Sequence, residues 1–262
     1  MNINHLLLLT CAVAATGVQA HVNVATENAF ALGNEPREYL EGKTVFLSIN
    51  LPHSCSNSET GERFATTDVA VLLPNGRGLS RDTAVTADRQ GNLYGANALM
   101  GSKARVSTAW RKVLVGKGEV EPFYSHGLKN IDARAIYWLK GYVDNDHYDD
   151  LEIRTKFPRL AGCTERLKIY VPAVQYCEKG YRIAWIGTSE STVFQPDSKT
   201  RVEGHYAPYF YVVRDTVNNP MPKECGEGQT VEIRPSVEEI DTYLPLPRMT
   251  YSPSFPRMPI GH

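Results

Sequence analysis

Apolar and polar residues alternate through Thr44-Val45-Phe46-Leu47-Ser48-Ile49-Asn50-Leu51-Pro52, as in a strand buried on one face, and Asp68 to Pro74 repeats the form. The same pattern predicts strands over Ala109 to Val115, Ala133 to Leu139, Leu151 to Phe157, Arg166 to Pro172 and Tyr181 to Ile186. Tyr206 to Arg214, aromatic and β-branched, reads as the last long strand. Trp110 and Trp138 fall within these segments and are read as core. Between them lie a polar turn-rich loop from Pro52 to Glu62 and an acidic turn from Tyr142 to Asp150. A Gly-, Asn-, Asp- and Ala-rich stretch from Asn75 to Ala104 reads as a long surface excursion. Prolines at 220, 222, 235, 245, 247, 253, 256 and 259 argue against further sheet, and the tail from about Ser236 is read as loose. No window of helical periodicity exceeds two turns, so the class expected is all-β, a sandwich of many short strands.

The first residues change the picture. An apolar run from Leu6 to Ala15 precedes Val18-Gln19-Ala20, a small-x-small cleavage signature, which predicts a signal peptide over 1–20 and a mature chain beginning with His21. The n-region, Met1 to His5, carries no Lys or Arg, and Val-x-Ala is an adequate rather than ideal signal. An N-terminal histidine offers a metal both its α-amine and its ring Nδ1, which close a six-membered chelate. His21-Val22-Asn23-Val24 alternates like a strand, which fixes that amine on a rigid edge.

Composition narrows the partners. With 28 basic and 29 acidic residues, the chain has no electrostatic footprint for nucleic acid or an anionic membrane. After residue 20 no apolar run approaches the roughly 20 residues of a membrane helix, so no anchor is expected and the location read is periplasmic or secreted. Cys11 leaves with the signal peptide. Cys55, Cys163, Cys177 and Cys225 remain, an even set without metal-type spacing, from which two disulfides are expected in one of three connectivities.

Five patches in order carry a family likeness: His21-Val22-Asn23-Val24; Leu51-Pro52-His53-Ser54-Cys55; Ser125-His126-Gly127 leading to Tyr137-Trp138; Tyr148-Asp149-Asp150-Leu151; and Tyr170-Val171-Pro172-Ala173-Val174-Gln175-Tyr176-Cys177-Glu178-Lys179-Gly180 with Trp185 beyond. Over His21 to Trp185 the chain resembles the YcnI-like copper-binding domain family of exported bacterial proteins, formerly a domain of unknown function. The resemblance implies an immunoglobulin/cupredoxin-like β-sandwich over 21–215, here with loop insertions and a Pro-rich C-terminal tail over 216–262. It implies Cu(II) held through the N-terminal histidine alone, with a carboxylate and a tryptophan nearby, in a non-enzymatic role in copper homeostasis or delivery. A second periplasmic copper protein is then a partner. It also implies that Cys55 joins Cys177, leaving Cys163 to Cys225.

Carried over by position, His21 matches the family's chelating histidine, and Trp185 the tryptophan after the Gln-x-x-x-x-Gly segment. The carboxylate is read as Glu38, with Glu35 and Glu41 beside it in an expanded Gly33 to Thr44 stretch, and Asp149 and Asp150 as rival donors. Amine, imidazole and carboxylate suit tetragonal Cu(II), whereas the sulfur of Met221, Met249 and Met258, the donor Cu(I) prefers, lies in the tail. Two other classes compete. A copper monooxygenase needs a second histidine ring, and His53, His126, His147 and His205 stand in no motif for it. A structural or adhesive sandwich leaves His21 incidental.

Overall fold

The computed structural model describes residues 23–25, 37–51, 53–57, 59–74, 76, 79–87, 93–94, 97–120, 131–191, 199–202 and 207–247. In chain order the strands are β1 (Asn23–Ala25), β2 (Glu38–Leu40), β3 (Thr44–Leu51), β4 (Cys55–Ser56), β5 (Arg63–Phe64), β6 (Thr66–Leu72), β7 (Ala84–Ala87), β8 (Leu93–Tyr94), β9 (Met100–Ala104), β10 (Lys112–Glu119), β11 (Ile131–Val143), β12 (Asp149–Lys156), β13 (Arg159–Leu160), β14 (Thr164–Tyr170), β15 (Ala173–Cys177), β16 (Arg182–Trp185), β17 (Thr200–Val202), β18 (Tyr209–Val213) and β19 (Gln229–Ile233). The helix α1 (Val237–Tyr243) follows. The predicted strands are present, with ends shifted by a few residues. β10 starts at Lys112 rather than Ala109, which leaves Trp110 in the bend before it.

A six-stranded sheet, β10-β11-β6-β15-β16-β17, and two four-stranded sheets, β1-β3-β12-β9 and β19-β14-β18-β2, form the layers. Their inward residues meet in one core: Leu47, Ile49 and Leu51 of β3, Leu151 and Ile153 of β12, Val69 and Val71 of β6, Ile169 of β14, and Phe210 of β18. The chain is therefore an all-β sandwich. Both expected disulfides are formed, Cys55–Cys177 across 122 residues and Cys163–Cys225 across 62. Closing loops of that length stabilises by roughly 2–4 kcal/mol each. Among the described residues no helix is long and apolar enough to cross a membrane.

Two expectations fail. The stretch read as a surface excursion carries β7, β8 and β9, and Ala84, Ala98 and Leu99 are fully buried. Its apolar residues come in pairs too short to show a period, and tertiary contacts bury them. Buried Asp132 ties the segment down, accepting from Gly101 N–H at 2.7 Å and from Asn97 Nδ2 at 3.3 Å. The loose tail is also corrected as far as residue 247. β19 lies parallel to β14, with Val231 opposite Leu167, and Pro222 and Pro235 bracket that strand rather than interrupt it. α1 starts with a capping box, Ser236 and Glu239 each bonding the other's backbone N–H.

α1 has a place to go because the six-stranded sheet is apolar on its outer face as well. Ala70, Leu72, Ala135, Tyr137, Leu139, Val174 and Ala184 form a second cluster there, closed by Ile240 and Leu244. Three polar contacts fix the helix on this surface. The hydroxyls of Tyr137 and Tyr176 donate to the carbonyls of Tyr243 and Leu244 at 2.7 and 2.9 Å, satisfying groups that a helix end leaves unpaired. The buried Arg134 guanidinium pairs with Glu239, donates to Glu119 O at 2.9 Å and lies 4.6 Å above the Tyr243 ring.

Glu239→Ala leaves Arg134 buried without its counter-charge and removes half of the capping box. Equilibrium urea unfolding should show a loss of about 3–5 kcal/mol. Alkali attacks the same contact. Burial, with a smaller contribution from Tyr243, pushes the Tyr137 hydroxyl up to about 12, and burial raises Tyr176 as well. An unfolded chain ionises these groups near 10, so their contribution is whole below pH ~10 and is lost as pH rises through the folded values. Stability should decline over that window, and less steeply in Tyr137→Phe.

Candidate functional site

β3 lies between β1 and β12 and is antiparallel to both. Asn23 is opposite Asn50, and Asn50 is opposite Asp150, so one register line crosses three strands at the end of this sheet. The acidic turn ends here, because Asp149 and Asp150 are the first residues of β12. Ile49 and Leu51 of β3 point into the core, which turns Asn50 and Asp150 to the outer face.

Each aspartate is held by a neutral donor. Asn50 Nδ2 donates to Asp150 Oδ1 at 2.9 Å, and Trp110 Nε1 donates to Asp149 Oδ2 at 2.6 Å. Asp149 Oδ1 accepts the Asp150 N–H at 2.9 Å, which links the two carboxylates through the backbone. Trp110 is itself positioned by an irregularity in β11. The register shifts between Leu139 and Val143, and Lys140 takes a positive φ of 57°. Gly141 follows, and a Cβ there would come within 2.4 Å of the Trp110 ring. Trp138, Asp149, Asp150 and Glu152 line a cleft of about 300 Å³ with Arg105 and Thr108, and Arg105 stands 3.6 Å from Glu152.

In the preceding turn His147 Nδ1 lies 2.5 Å from Asp144 Oδ1. That bond holds the Asp144 carboxyl below the usual range and raises the His147 imidazole.

The other candidates stand elsewhere. Glu38 is in β2, opposite Tyr211 of the other four-stranded sheet, 3.5 Å from Arg166. Glu41 is buried, and both its oxygens accept hydrogen bonds, from Leu160 N–H, Asp215 N–H and Asn219 Nδ2. Trp185 lies in the core opposite Ala173, its Nε1 without a hydrogen-bond partner among the described residues. His53 Nδ1 is 2.7 Å from Ser54 O. His21, Glu35, His126, His205, Met249 and Met258 lie outside the described residues, and Met221 falls within them. Among the described residues no three His, Cys, Asp or Glu side chains are grouped to hold a metal ion.

The structure therefore puts Asp149 and Asp150 in the sheet that contains β1. It also adds two residues to them. Asn50 was visible only as a polar position in an alternating strand, and Trp110 was assigned to the core, which it does occupy, without its indole N–H being given a partner.

Gly141→Ala should drive the Trp110 ring off its seat. A stability loss of about 1–3 kcal/mol is expected in urea unfolding, with a red shift in tryptophan emission as the Asp149 bond opens. Unchanged emission and stability would show that the ring is not held there.

No curated protein matches the chain. Among solved structures, an uncharacterized protein from Nocardia farcinica with an immunoglobulin-like fold aligns at 13% identity and a TM-score of 0.40, covering 74% of this chain and 98% of that one. The profile of a domain of unknown function, DUF1775, matches residues 53–204, more than half of the sequence. The chain belongs to that family, which is the YcnI-like domain family.

Proposed function

We propose that the mature protein begins at His21 and is an exported, non-enzymatic Cu(II)-binding protein of copper homeostasis or delivery, which passes the ion to or from another periplasmic copper protein. His21 supplies the α-amine and Nδ1, and Asp150 supplies the carboxylate in place of the Glu38 favoured from sequence. The observation that carries this reading is the register line Asn23–Asn50–Asp150. His21 precedes Asn23 by two residues, at most about 7 Å of extended chain, which bounds how far a mature N-terminus at His21 can lie from the β1 end of that line, while Asp150 stands at its β12 end.

The donor set fits the ion. Two nitrogens and a carboxylate oxygen suit tetragonal Cu(II). Asp150 is exposed and keeps Oδ2 without a hydrogen bond among the described residues, whereas Glu41 has no oxygen to spare. Trp138 and Trp185 are both buried in the core, but Trp138 lines the cleft beside the carboxylates and Trp185 does not, which favours Trp138 as the tryptophan near the ion. His147, the histidine nearest Asp150 in sequence, is engaged by Asp144, which favours a single-histidine site over the two-ring site of an oxygenase. Two disulfides accord with an oxidising compartment.

Correctly processed protein should bind one Cu(II), and one residue added before His21 should abolish that binding by converting the amine to an amide. Asp150→Asn should weaken it and shift the electron paramagnetic resonance spectrum, while Glu38→Gln leaves both unchanged. Because an amine of pKa roughly 7.7–8.0 must lose its proton to bind, affinity should fall as pH drops below neutrality. Equal binding by the extended protein would refute the chelate, and a response of Glu38→Gln alone would return the carboxylate to Glu38.

A further inference from the structure

We propose that Asn50 is the positioning residue of this copper site, setting the Asp150 carboxylate so that one oxygen is committed and the other is presented to the ion. The inference rests on the copper reading above, but its geometry is that of the protein alone. Asn50 occupies the middle of the three-strand register line, on the strand shared by β1 and β12. Its amide reaches Asp150 Oδ1 at 2.9 Å. Asp150 has no other side-chain hydrogen bond or ion pair among the described residues, so without Asn50 no polar partner there fixes its exposed carboxylate.

The type of donor matters as much as its place. A Lys or Arg at position 50 would hold the carboxylate equally well but neutralise the charge that a cation needs. The asparagine amide leaves that charge intact. The backbone beneath is fixed from the other side, since Asp149 Oδ1 takes the Asp150 N–H while Trp110 holds Asp149 Oδ2. Orientation therefore runs from Gly141 through Trp110 and Asp149 to the Asp150 main chain, and Asn50 supplies the last constraint, on the side chain. Hydrogen-bond partners of ligating carboxylates commonly set metal affinity by about 10- to 100-fold.

The test is Cu(II) competition titration against a chelator, with electron paramagnetic resonance, on mature protein carrying Asn50→Ala, Asp150→Asn or both. Asn50→Val is the second variant, because a β-branched residue of similar size keeps the strand while removing the donor. Thermal unfolding checks that each variant is folded. Asn50→Ala and Asn50→Val should each weaken Cu(II) binding by about tenfold and broaden or split the copper hyperfine lines. Asn50→Ala should add nothing once Asp150 is Asn. Wild-type affinity and spectrum in both Asn50 variants, in a protein whose N-terminally extended form has lost copper, would overturn the role of Asn50 and leave the copper reading standing. The same holds if Asn50→Ala still costs tenfold in the Asp150→Asn background. Copper retained by the extended form would overturn the site and the Asn50 proposal together.

Discussion

The six-stranded sheet is apolar on both faces, and most of the architecture answers to that constraint. Along β6, Val69 and Val71 point one way and Ala70 and Leu72 the other, and all four are fully buried. Burying such side chains stabilises by roughly 1.5–3 kcal/mol for each valine or leucine, so neither face can be left to water. The two four-stranded sheets cover the inner face. Nothing within residues 53–204 that is described covers the outer one, and α1, from well beyond that match, does so. Its attachment combines apolar area with groups that must be paired once buried, namely two tyrosine hydroxyls, two helix-end carbonyls and the Arg134–Glu239 pair.

That division explains what was legible in the sequence. Strands show wherever one face is wet, because alternation is then enforced residue by residue, as in Thr44 to Leu51. β19 and α1 were missed although their signals are short-range and present: Thr230-Val231-Glu232-Ile233 alternates, and Ser236-Val237-Glu238-Glu239 spells a capping box. Proline density outweighed them, yet proline on either side of an element delimits it as readily as it excludes one. Burial between residues 84 and 104 was invisible for the opposite reason. Ala84 and Leu99 are buried by distant partners, and no local period records that.

The candidate site shows the same limit more sharply. Glu38 is the reading carried over by position from the resemblance, in the expanded Gly33 to Thr44 stretch, whereas Asp150 is tied to β1 through two strand pairings that join residues far apart in sequence. Register of this kind comes from which face of each strand is apolar, and that is settled only when all three strands are assembled. Asp149 and Asp150 were nameable from their patch, but not their separate attachments. Trp110 reads as a hydrophobic payload in any sequence; that its ring lies on Gly141 with its N–H on Asp149 depends on a bulge no local pattern announces.

Among the described residues β1 is three residues long and lies at the edge of its sheet, paired with β3 alone. Short edge elements open at little free-energy cost, far below that of global unfolding, and they open often. On the proposed copper reading, an ion held by His21 ahead of such a strand would be bound only while the strand is docked, so its apparent affinity would carry the docked fraction as a factor. Its escape would follow the same motion. Peeling three residues would draw the two nitrogens away from the carboxylate together, giving up the carboxylate contact in one event and keeping the chelate. A partner that captures the peeled end would then receive the ion with both nitrogens still on it, and strand fraying would set the rate of transfer.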